Sequence, residues 1–154
     1  SRGLGDVYKR QGGVFSIGST TVSWYSRKQR SVALSSAEAE YMAASLAACE
    51  AIWMRKILVG LFGSHLDPTV IYCDNQSCIK LSANPVFHDR SKHIDIRYHH
   101  IRDCVQRRIM LLSYIPTEDQ DADILTKALT RSKFEYHRGR IGVADNPYLV
   151  EREC

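Results

Sequence analysis

The 154-residue sequence is long enough for one compact domain whose hydrophobic core needs no disulfide or structural metal. Its 44% hydrophobic and 25% charged residues argue against disorder over most of the length, and its net charge of +4 suits a polyanionic partner without requiring one. The five cysteines are an odd number with no Cys-x-x-Cys pair, and no apolar run is long enough to cross a bilayer, so we expect a soluble, intracellular protein.

The first part of the chain predicts a hairpin followed by a long helix. Two short runs rich in β-branched and aromatic residues, 12–18 and 21–26, meet at a Gly-Ser-Thr turn, which is typical of a β-hairpin. Ser35 and Glu38 have the spacing of a capping box. Residues 37–62 contain strong helix formers and no breaker before the glycines near the end, so they predict a helix.

The second part of the chain alternates strands and helices. An apolar run at 69–73 predicts a strand, and the turn after it opens a short helix through Leu81. Apolar residues recur at helical spacing from Lys92 onward, and the apolar run 109–115 predicts another strand. A capping-box pattern predicts a last helix over 117–129. This order of elements indicates an α/β layer fold.

Three acidic residues lie at the ends of separate predicted elements. Glu40 precedes Ala43 and Ala44 by about one helical turn, and these small residues would let the helix approach a sheet. Asp74 ends a strand, where α/β sheets gather functional groups, and Asp123 lies past the first turn of the last predicted helix. Each has an ordinary alternative, which is a solvated side chain for Glu40 and Asp123 and a helix N-cap for Asp74.

Carboxylates that converge prefer a hard divalent cation to each other's repulsion. Two such ions, about 4 Å apart, would orient a water for in-line attack on a phosphodiester and stabilise the departing oxygen. The spacing of the three acidic residues is compatible with this chemistry but does not by itself specify it.

Five sequence segments resemble those of a known family. They are SSAEAEYMA at 35–43, CDNQS at 73–77, NPVFH at 84–88, SKHIDI at 91–96 and ADILTK at 122–127. Their order and rough spacing resemble the ribonuclease H domains of copia-type LTR retrotransposon Pol polyproteins, and the segment SWYSRKQ at 23–29 also fits. The resemblance covers residues 24–143, which is most of the chain.

The resemblance implies a ribonuclease H-like mixed sheet flanked by helices, and hydrolysis of the RNA strand of RNA–DNA hybrids with two Mg²⁺ ions, or Mn²⁺. The family's metal site contains Asp, Glu, Asp and Asp, of which the last three correspond to Glu40, Asp74 and Asp123. The family carries its first Asp in a segment whose end is Gly-Asp, and Gly5 and Asp6 match only that end. The first catalytic Asp therefore falls just before Ser1. We therefore expect the first strand to be missing and activity to be impaired; the alternative is a catalytically dead remnant that at most binds nucleic acid.

The same resemblance divides the chain into an unmatched stretch at 1–11, a ribonuclease H-like domain at 12–144 and a polar tail at 145–154, which we expect to be disordered. It implies two partners, an RNA–DNA hybrid and the reverse transcriptase domain of the same polyprotein. The expected location is cytoplasmic, in the virus-like particle of the parent element. No membrane partner and no small-molecule cofactor are expected.

The middle of the chain is rich in histidines and basic residues. His88, His93, His99 and His100 lack the tight paired spacing of a tetrahedral zinc site, so zinc is not favoured. Basic side chains in this region can meet phosphates of a nucleic-acid backbone, and a solvated helix face is the alternative. The residues expected to contact nucleic acid are Asn75, Gln76, Arg90, Lys92 and Arg97.

Overall fold

The computed structural model describes residues 10–28, 36–63, 65–83 and 92–144, with the backbone alone for helix residues 36–38, 81 and 92–98. Within these residues four strands and four α-helices form a mixed α/β structure, which confirms the predicted class. None of the described helices has the length and hydropathy of a membrane span.

The predicted hairpin is confirmed. Strands β1 (Arg10–Ile17) and β2 (Thr20–Lys28) pair in antiparallel register, and β1 begins two residues before the predicted start. Gly18 opens the two-residue connection with a φ of 61°, which is the left-handed value that tight hairpin turns require and glycine adopts without strain.

The long helix is also confirmed as α1 (Ser36–Phe62). Its inner face carries Tyr41 and Ala48, which are 1% and 0% exposed and belong to the hydrophobic core. The capping box stays a prediction, because Ser35 and the side chain of Glu38 lie outside the described part of the chain.

A parallel strand pair forms the second half of the fold. Strand β3 (Thr69–Cys73) pairs with β4 (Met110–Tyr114), and helices α2 (Gln76–Ala83) and α3 (Lys92–Gln106) connect them, as the sequence predicts. The two strands and three helices enclose one core, because each turns small or apolar residues inward. The buried core residues outside α1 are Cys73, Cys78, Ile101, Cys104 and Met110.

The prediction of a last helix over 117–129 is wrong. Residues Thr117–Asp119 and Asp121–Leu125 form two short 3₁₀ segments. The α-helix of this region, α4, spans Arg131–Arg140. The order of hairpin, helix, strand, helix, helix, strand and helix is nevertheless retained.

The capping pattern misleads here because its threonine has another partner. The hydroxyl of Thr117 donates to a carboxylate oxygen of Asp74 at 3.1 Å and makes no cap to the segment that it begins. The N–H of Gln120 bonds to the carbonyl of Thr117, and the extended backbone of Gln120, with a ψ of 96°, stops the helix from continuing.

The four strands form two separate two-stranded sheets, β1 with β2 and β3 with β4. Helix α1 contacts both β1 and β3 and so joins the two halves. The ribonuclease H-like mixed sheet stays a prediction at this level. Arg10 and Gln11, which were assigned to the unmatched stretch, belong to β1, while residues 1–9 and the tail 145–154 lie outside the described residues.

Candidate metal and catalytic site

Two of the three predicted carboxylates lie close together. Glu40 projects from the beginning of α1, and Asp74 directly follows β3. Ligand atoms of Glu40, Asp74 and Cys73 all lie within 4.8 Å of one another. Among the side chains that the structure describes, this is the one group of acidic, histidine and cysteine residues compact enough to share a metal ion. The two carboxylates are half-buried and Cys73 is buried.

The carboxylate of Asp74 is not used to cap α2. The side-chain oxygen of Asn75 accepts the N–H groups of Ser77 and Cys78, at 2.9 and 3.1 Å, and so caps the helix. Asp74 instead accepts the hydroxyl of Thr117 at 3.1 Å. A hydrogen bond from a separate segment restricts the orientation of this carboxylate toward the cluster with Glu40.

The third predicted carboxylate, Asp123, has a different environment. It lies in the second 3₁₀ segment, is 9% exposed and accepts the ammonium of Lys127 at 2.9 Å. It is not among the atoms that lie within 4.8 Å of one another in the Glu40 cluster. The alternative of a solvated surface carboxylate does not fit this burial, because an acidic residue is rarely buried without a charged partner.

Lys127 interacts electrostatically both with Asp123 and with the cluster of Glu40 and Asp74. Burial disfavours the charge of Lys127, but the hydrogen bond and charge of Asp123 outweigh it and raise the pKa of the ammonium group. The charges of Asp74 and Glu40 raise the pKa further, so Lys127 lies within electrostatic reach of all three predicted carboxylates. Lys127 was not among the residues predicted from the sequence, although its spacing of four residues from Asp123 was a usable signal.

The thiol of Cys73 is a second feature that the sequence analysis missed. The Cys78 thiol donates a hydrogen bond to Cys73, which lowers the pKa of Cys73 and raises that of Cys78. The N–H of Asn75 also donates to the Cys73 sulfur, at 3.5 Å. Nothing in the linear sequence shows that this sulfur lies beside Glu40, because the contact depends on how α1 packs against β3.

The oxygen donors of the cluster fit magnesium. Mg²⁺ prefers carboxylate oxygens and retains several waters, so the two carboxylates of Glu40 and Asp74 are a suitable protein contribution. Their mutual repulsion in a half-buried site is a further reason to expect a cation. The Cys73 sulfur is a softer donor, which suits zinc and other thiophilic ions better than magnesium.

A polar network anchors α4 next to the second 3₁₀ segment. His137 is 2% exposed, and its Nδ1 lies 2.8 Å from a carboxylate oxygen of Asp121. Arg140 lies 3.2 Å from the same oxygen and 3.4 Å from Asp119. These contacts hold the segment that carries Asp123 in position, because they join it to α4.

The residues predicted to contact nucleic acid have varied positions. Asn75 uses its side-chain oxygen in the helix cap, and Gln76 is exposed at the start of α2. Lys92 and Arg97 belong to α3, with side chains outside the described set, and Arg90 lies outside the described residues. Their contacts with nucleic acid stay a prediction.

Comparisons with known proteins find similarity to retroelement polyproteins. It is 42% identical over 145 residues to the retrovirus-related Pol polyprotein from transposon TNT 1-94 of Nicotiana tabacum. It is 42% and 41% identical over 142 residues to those from transposons RE1 and RE2 of Arabidopsis thaliana. Each match covers 92% of this chain but 11% of the tobacco polyprotein and 10% of the two others. No protein-family model and no solved structure matches the chain.

The chain is therefore similar, over nearly its whole length, to one stretch of plant retrotransposon Pol polyproteins, and it spans about a tenth of their length. This supports the retroelement origin that the sequence segments indicate.

Proposed function

We propose that this chain is the ribonuclease H region of a retrotransposon Pol polyprotein, and that it hydrolyses the RNA strand of RNA–DNA hybrids. The observation that carries the proposal is the meeting of Glu40 and Asp74, from a helix and a strand end, within 4.8 Å. Carboxylates at these positions are what the resemblance to copia-type ribonuclease H domains requires, and the similarity to Pol polyproteins supports the same assignment.

Glu40 and Asp74 are the residues that would hold magnesium or manganese. When bound, such ions activate a water and neutralise charge that develops at the scissile phosphate. The hydroxyl of Thr117 orients the carboxylate of Asp74, and the cap made by Asn75 fixes the turn that presents it. These contacts prearrange the carboxylates before a substrate arrives, which is how a site reduces the reorganisation that the reaction needs.

Lys127 has two roles in this proposal. It holds the carboxylate of Asp123 through the 2.9 Å ion pair, and its half-exposed ammonium places positive charge beside an otherwise acidic site. Positive charge at this position favours the approach of a phosphodiester, because the phosphate backbone dominates the affinity of proteins for nucleic acid. In the proposal Asp123 would also hold an ion, through the carboxylate oxygens that here bind Lys127.

The proposed substrate is recognised by shape. An RNA–DNA hybrid presents 2′-hydroxyls and phosphates that side chains can contact without reading base sequence. Gln76, which is exposed at the start of α2, is proposed to make such a contact, and the basic residues Arg90, Lys92 and Arg97 are proposed to meet phosphates. The proposed partner is the reverse transcriptase domain of the same polyprotein, in a cytoplasmic virus-like particle.

A second candidate, a nucleic-acid-binding region without catalysis, is favoured by one observation. Asp123 is paired with Lys127, so among the described residues two carboxylates rather than three share the compact cluster. A site for a pair of ions needs more oxygen donors than two carboxylates provide, and for this reason we expect slow cleavage by the chain.

Cleavage and binding of a labelled hybrid distinguish the two candidates. The nuclease proposal predicts magnesium-dependent shortening of the RNA strand alone, lost in Glu40→Gln but retained in the matched control Asp103→Asn, an exposed carboxylate on α3 paired with Arg107. The binding candidate predicts fluorescence anisotropy changes with the hybrid, unaffected by Glu40→Gln, and no RNA products at any magnesium concentration. The latter pattern would reject the nuclease proposal.

A further inference from the structure

The cluster of Glu40, Cys73 and Asp74 contains two kinds of metal ligand. Its carboxylates are hard oxygen donors, which magnesium prefers, whereas the sulfur of Cys73 is a soft donor, which magnesium does not favour. The ligand atoms of all three side chains lie within 4.8 Å of one another. The proposed nuclease uses the carboxylates alone, so it gives no role to the sulfur beside them.

The end of β3 explains how two adjacent residues contribute to one cluster. Successive side chains of a strand point to opposite faces, which would separate the ligand atoms of two neighbouring residues. Cys73 is the last residue of β3, and Asp74 lies in the bend that follows it, so this alternation does not extend to Asp74. The sulfur and the carboxylate therefore lie near each other, and Glu40 approaches both of them from α1.

The hydrogen bonds of the Cys73 sulfur suit a sulfur that binds a metal ion. The sulfur accepts the N–H of Asn75 at 3.5 Å and also accepts the thiol of Cys78. Its own S–H group donates to the carbonyl of Asn75 at 3.7 Å. A metal ion would take the place of that proton, which would pass to solvent. The two remaining donors would stabilise the negative sulfur, as groups around metal-bound ligands commonly do.

A groove gives ions access to the cluster from solvent. Its volume is 630 Å³, and its lining includes both Glu40 and Cys73. Cys73 is only 5% exposed as a whole residue, so the groove provides the path to a sulfur that is otherwise buried. The third ligand, Asp74, is half-buried. An ion that enters the groove can therefore reach the soft donor as well as the hard ones.

We propose that Glu40, Cys73 and Asp74 form a site for a thiophilic divalent cation of the zinc class, which competes with magnesium for the two carboxylates. Zinc binds thiolate and carboxylate ligands in tetrahedral geometry. Neighbouring ligand atoms around such an ion are about 3.4–3.8 Å apart, so side-chain movements of about 1 Å are enough to close the cluster on it. A water molecule would complete the tetrahedron. The site uses none of the histidines that the sequence analysis considered for zinc.

The proposal concerns regulation of the same site, and it rests on the two carboxylates that the proposed nuclease uses. An ion held by the sulfur occupies both carboxylates and so excludes magnesium from them. A second place for a thiophilic ion is the pair of Cys104 and His100 on α3, whose Sγ and Nε2 atoms lie 3.9 Å apart. This pair offers two ligands, whereas the cluster offers three, so we expect the cluster to bind a tetrahedral ion more tightly.

Cobalt absorption spectroscopy on the whole chain tests the ligand set. Co²⁺ is the probe because it accepts the same ligands as zinc and, when a thiolate binds it, gives a charge-transfer band in the near ultraviolet. We expect this band when Co²⁺ is added and its loss when Zn²⁺ is then added. We also expect Zn²⁺ to displace bound Mn²⁺, which electron paramagnetic resonance measures directly. These measurements need no substrate and no cleavage activity.

Single substitutions identify the ligands. Cys73→Ser should abolish the band and lower the affinity for Co²⁺ by about tenfold or more, with a smaller loss for Mn²⁺, because oxygen replaces only the soft donor. Cys49→Ser, which removes an exposed thiol of α1, is the matched control and should retain the band. Glu40→Gln keeps every thiol and should also weaken Co²⁺ binding by about tenfold, so it tests the site even if the buried Cys73→Ser change prevents folding. Circular dichroism of each metal-free variant compares the folds.

Three results would overturn the proposal. The first is the absence of a charge-transfer band in the unmodified chain. The second is a band that folded Cys73→Ser retains. The third is a band that Cys104→Ser removes, which would assign the ion to the pair of Cys104 and His100. Mn²⁺ binding without a thiolate band would reject this inference and leave the proposed nuclease standing. A band that depends on Cys73, in a chain that never cleaves a hybrid, would support this inference and reject the nuclease proposal alone.

Discussion

Replacement of Lys127 by Met should lower the free energy of unfolding of the metal-free protein and should increase its affinity for divalent cations. The Lys127 ammonium lies 2.9 Å from Asp123, and the two side chains are 52% and 13% exposed. Exposed ion pairs contribute about 0–1 kcal/mol, whereas breaking a buried pair costs about 3–5 kcal/mol. Because Lys127 is half-exposed and Asp123 is mostly buried, we expect a loss of about 1–2 kcal/mol in the free energy of unfolding.

The effect on cation binding has the opposite sign. The charges of Asp74 and Glu40 raise the pKa of Lys127, so the ammonium in turn repels any cation that these carboxylates hold. Removing this repulsion, and freeing the oxygens of Asp123, should tighten Mn²⁺ binding by about three- to tenfold, which corresponds to about 0.6–1.4 kcal/mol.

Urea unfolding without metal and a Mn²⁺ titration followed by electron paramagnetic resonance measure the two effects. Lys133→Met is the matched control, because Lys133 is an exposed lysine on α4 and should change neither quantity. Unchanged or weaker Mn²⁺ binding by Lys127→Met would refute the placement of Lys127 and Asp123 at the metal site.

Four further substitutions test contacts of the fold. Thr117→Val removes the hydroxyl bound to Asp74 and should lower the free energy of unfolding by about 0.5–1.5 kcal/mol in urea. Burial is the main cause that raises the pKa of Tyr25 from 10.0 to about 12, so stability should fall as the pH rises between these values, and Tyr25→Phe should flatten that fall in thermal unfolding. Gly60→Ala, with nothing within 4 Å of the added Cβ, should stabilise α1 by about 0.5–1 kcal/mol, whereas Gly12→Ala would place a Cβ 2.6 Å from Thr126 and should destabilise.

Each of these expectations has a result that contradicts it. Thr117→Val with unchanged stability would mean that its bond to Asp74 is not formed in solution. A pH dependence that persists in Tyr25→Phe would assign the alkaline loss of stability to other groups. Destabilisation by Gly60→Ala equal to that by Gly12→Ala would contradict the close approach of Gly12 to Thr126 and the open space at Gly60.

Local patterns predicted most of the elements. The hairpin, α1, β3, α2, α3 and β4 all lie where the sequence places them, because periodicity, turn residues and helix formers act within a few residues of each other. The last helix was misplaced because the decisive contact is not local: the Thr117 hydroxyl bonds to Asp74, which lies 43 residues earlier in the chain. A capping box shows only that a helix start is available there.

The candidate site was predicted only in part, because some of its contacts also join residues that are distant in the sequence. Residue type and position at element ends indicated Glu40 and Asp74, and the structure brings them together. The sulfur of Cys73 beside them depends on the packing of α1 against β3, and the pairing of Asp123 with Lys127 depends on the 3₁₀ turn that replaced the predicted helix. The Cys73 contact has no signature in sequence spacing, whereas the four-residue spacing of Asp123 and Lys127 was a signal that could have been used.

The most direct test of the central claim is RNA cleavage by the chain fused to the flanking segments of its tobacco relative, compared with the same fusion carrying Asp74→Asn. We expect the fusion to shorten only the RNA strand of a labelled hybrid and to require magnesium or manganese. We expect Asp74→Asn to abolish the products while the fold is retained. Equal cleavage by the Asp74→Asn protein would contradict the assignment of Asp74 to the metal site.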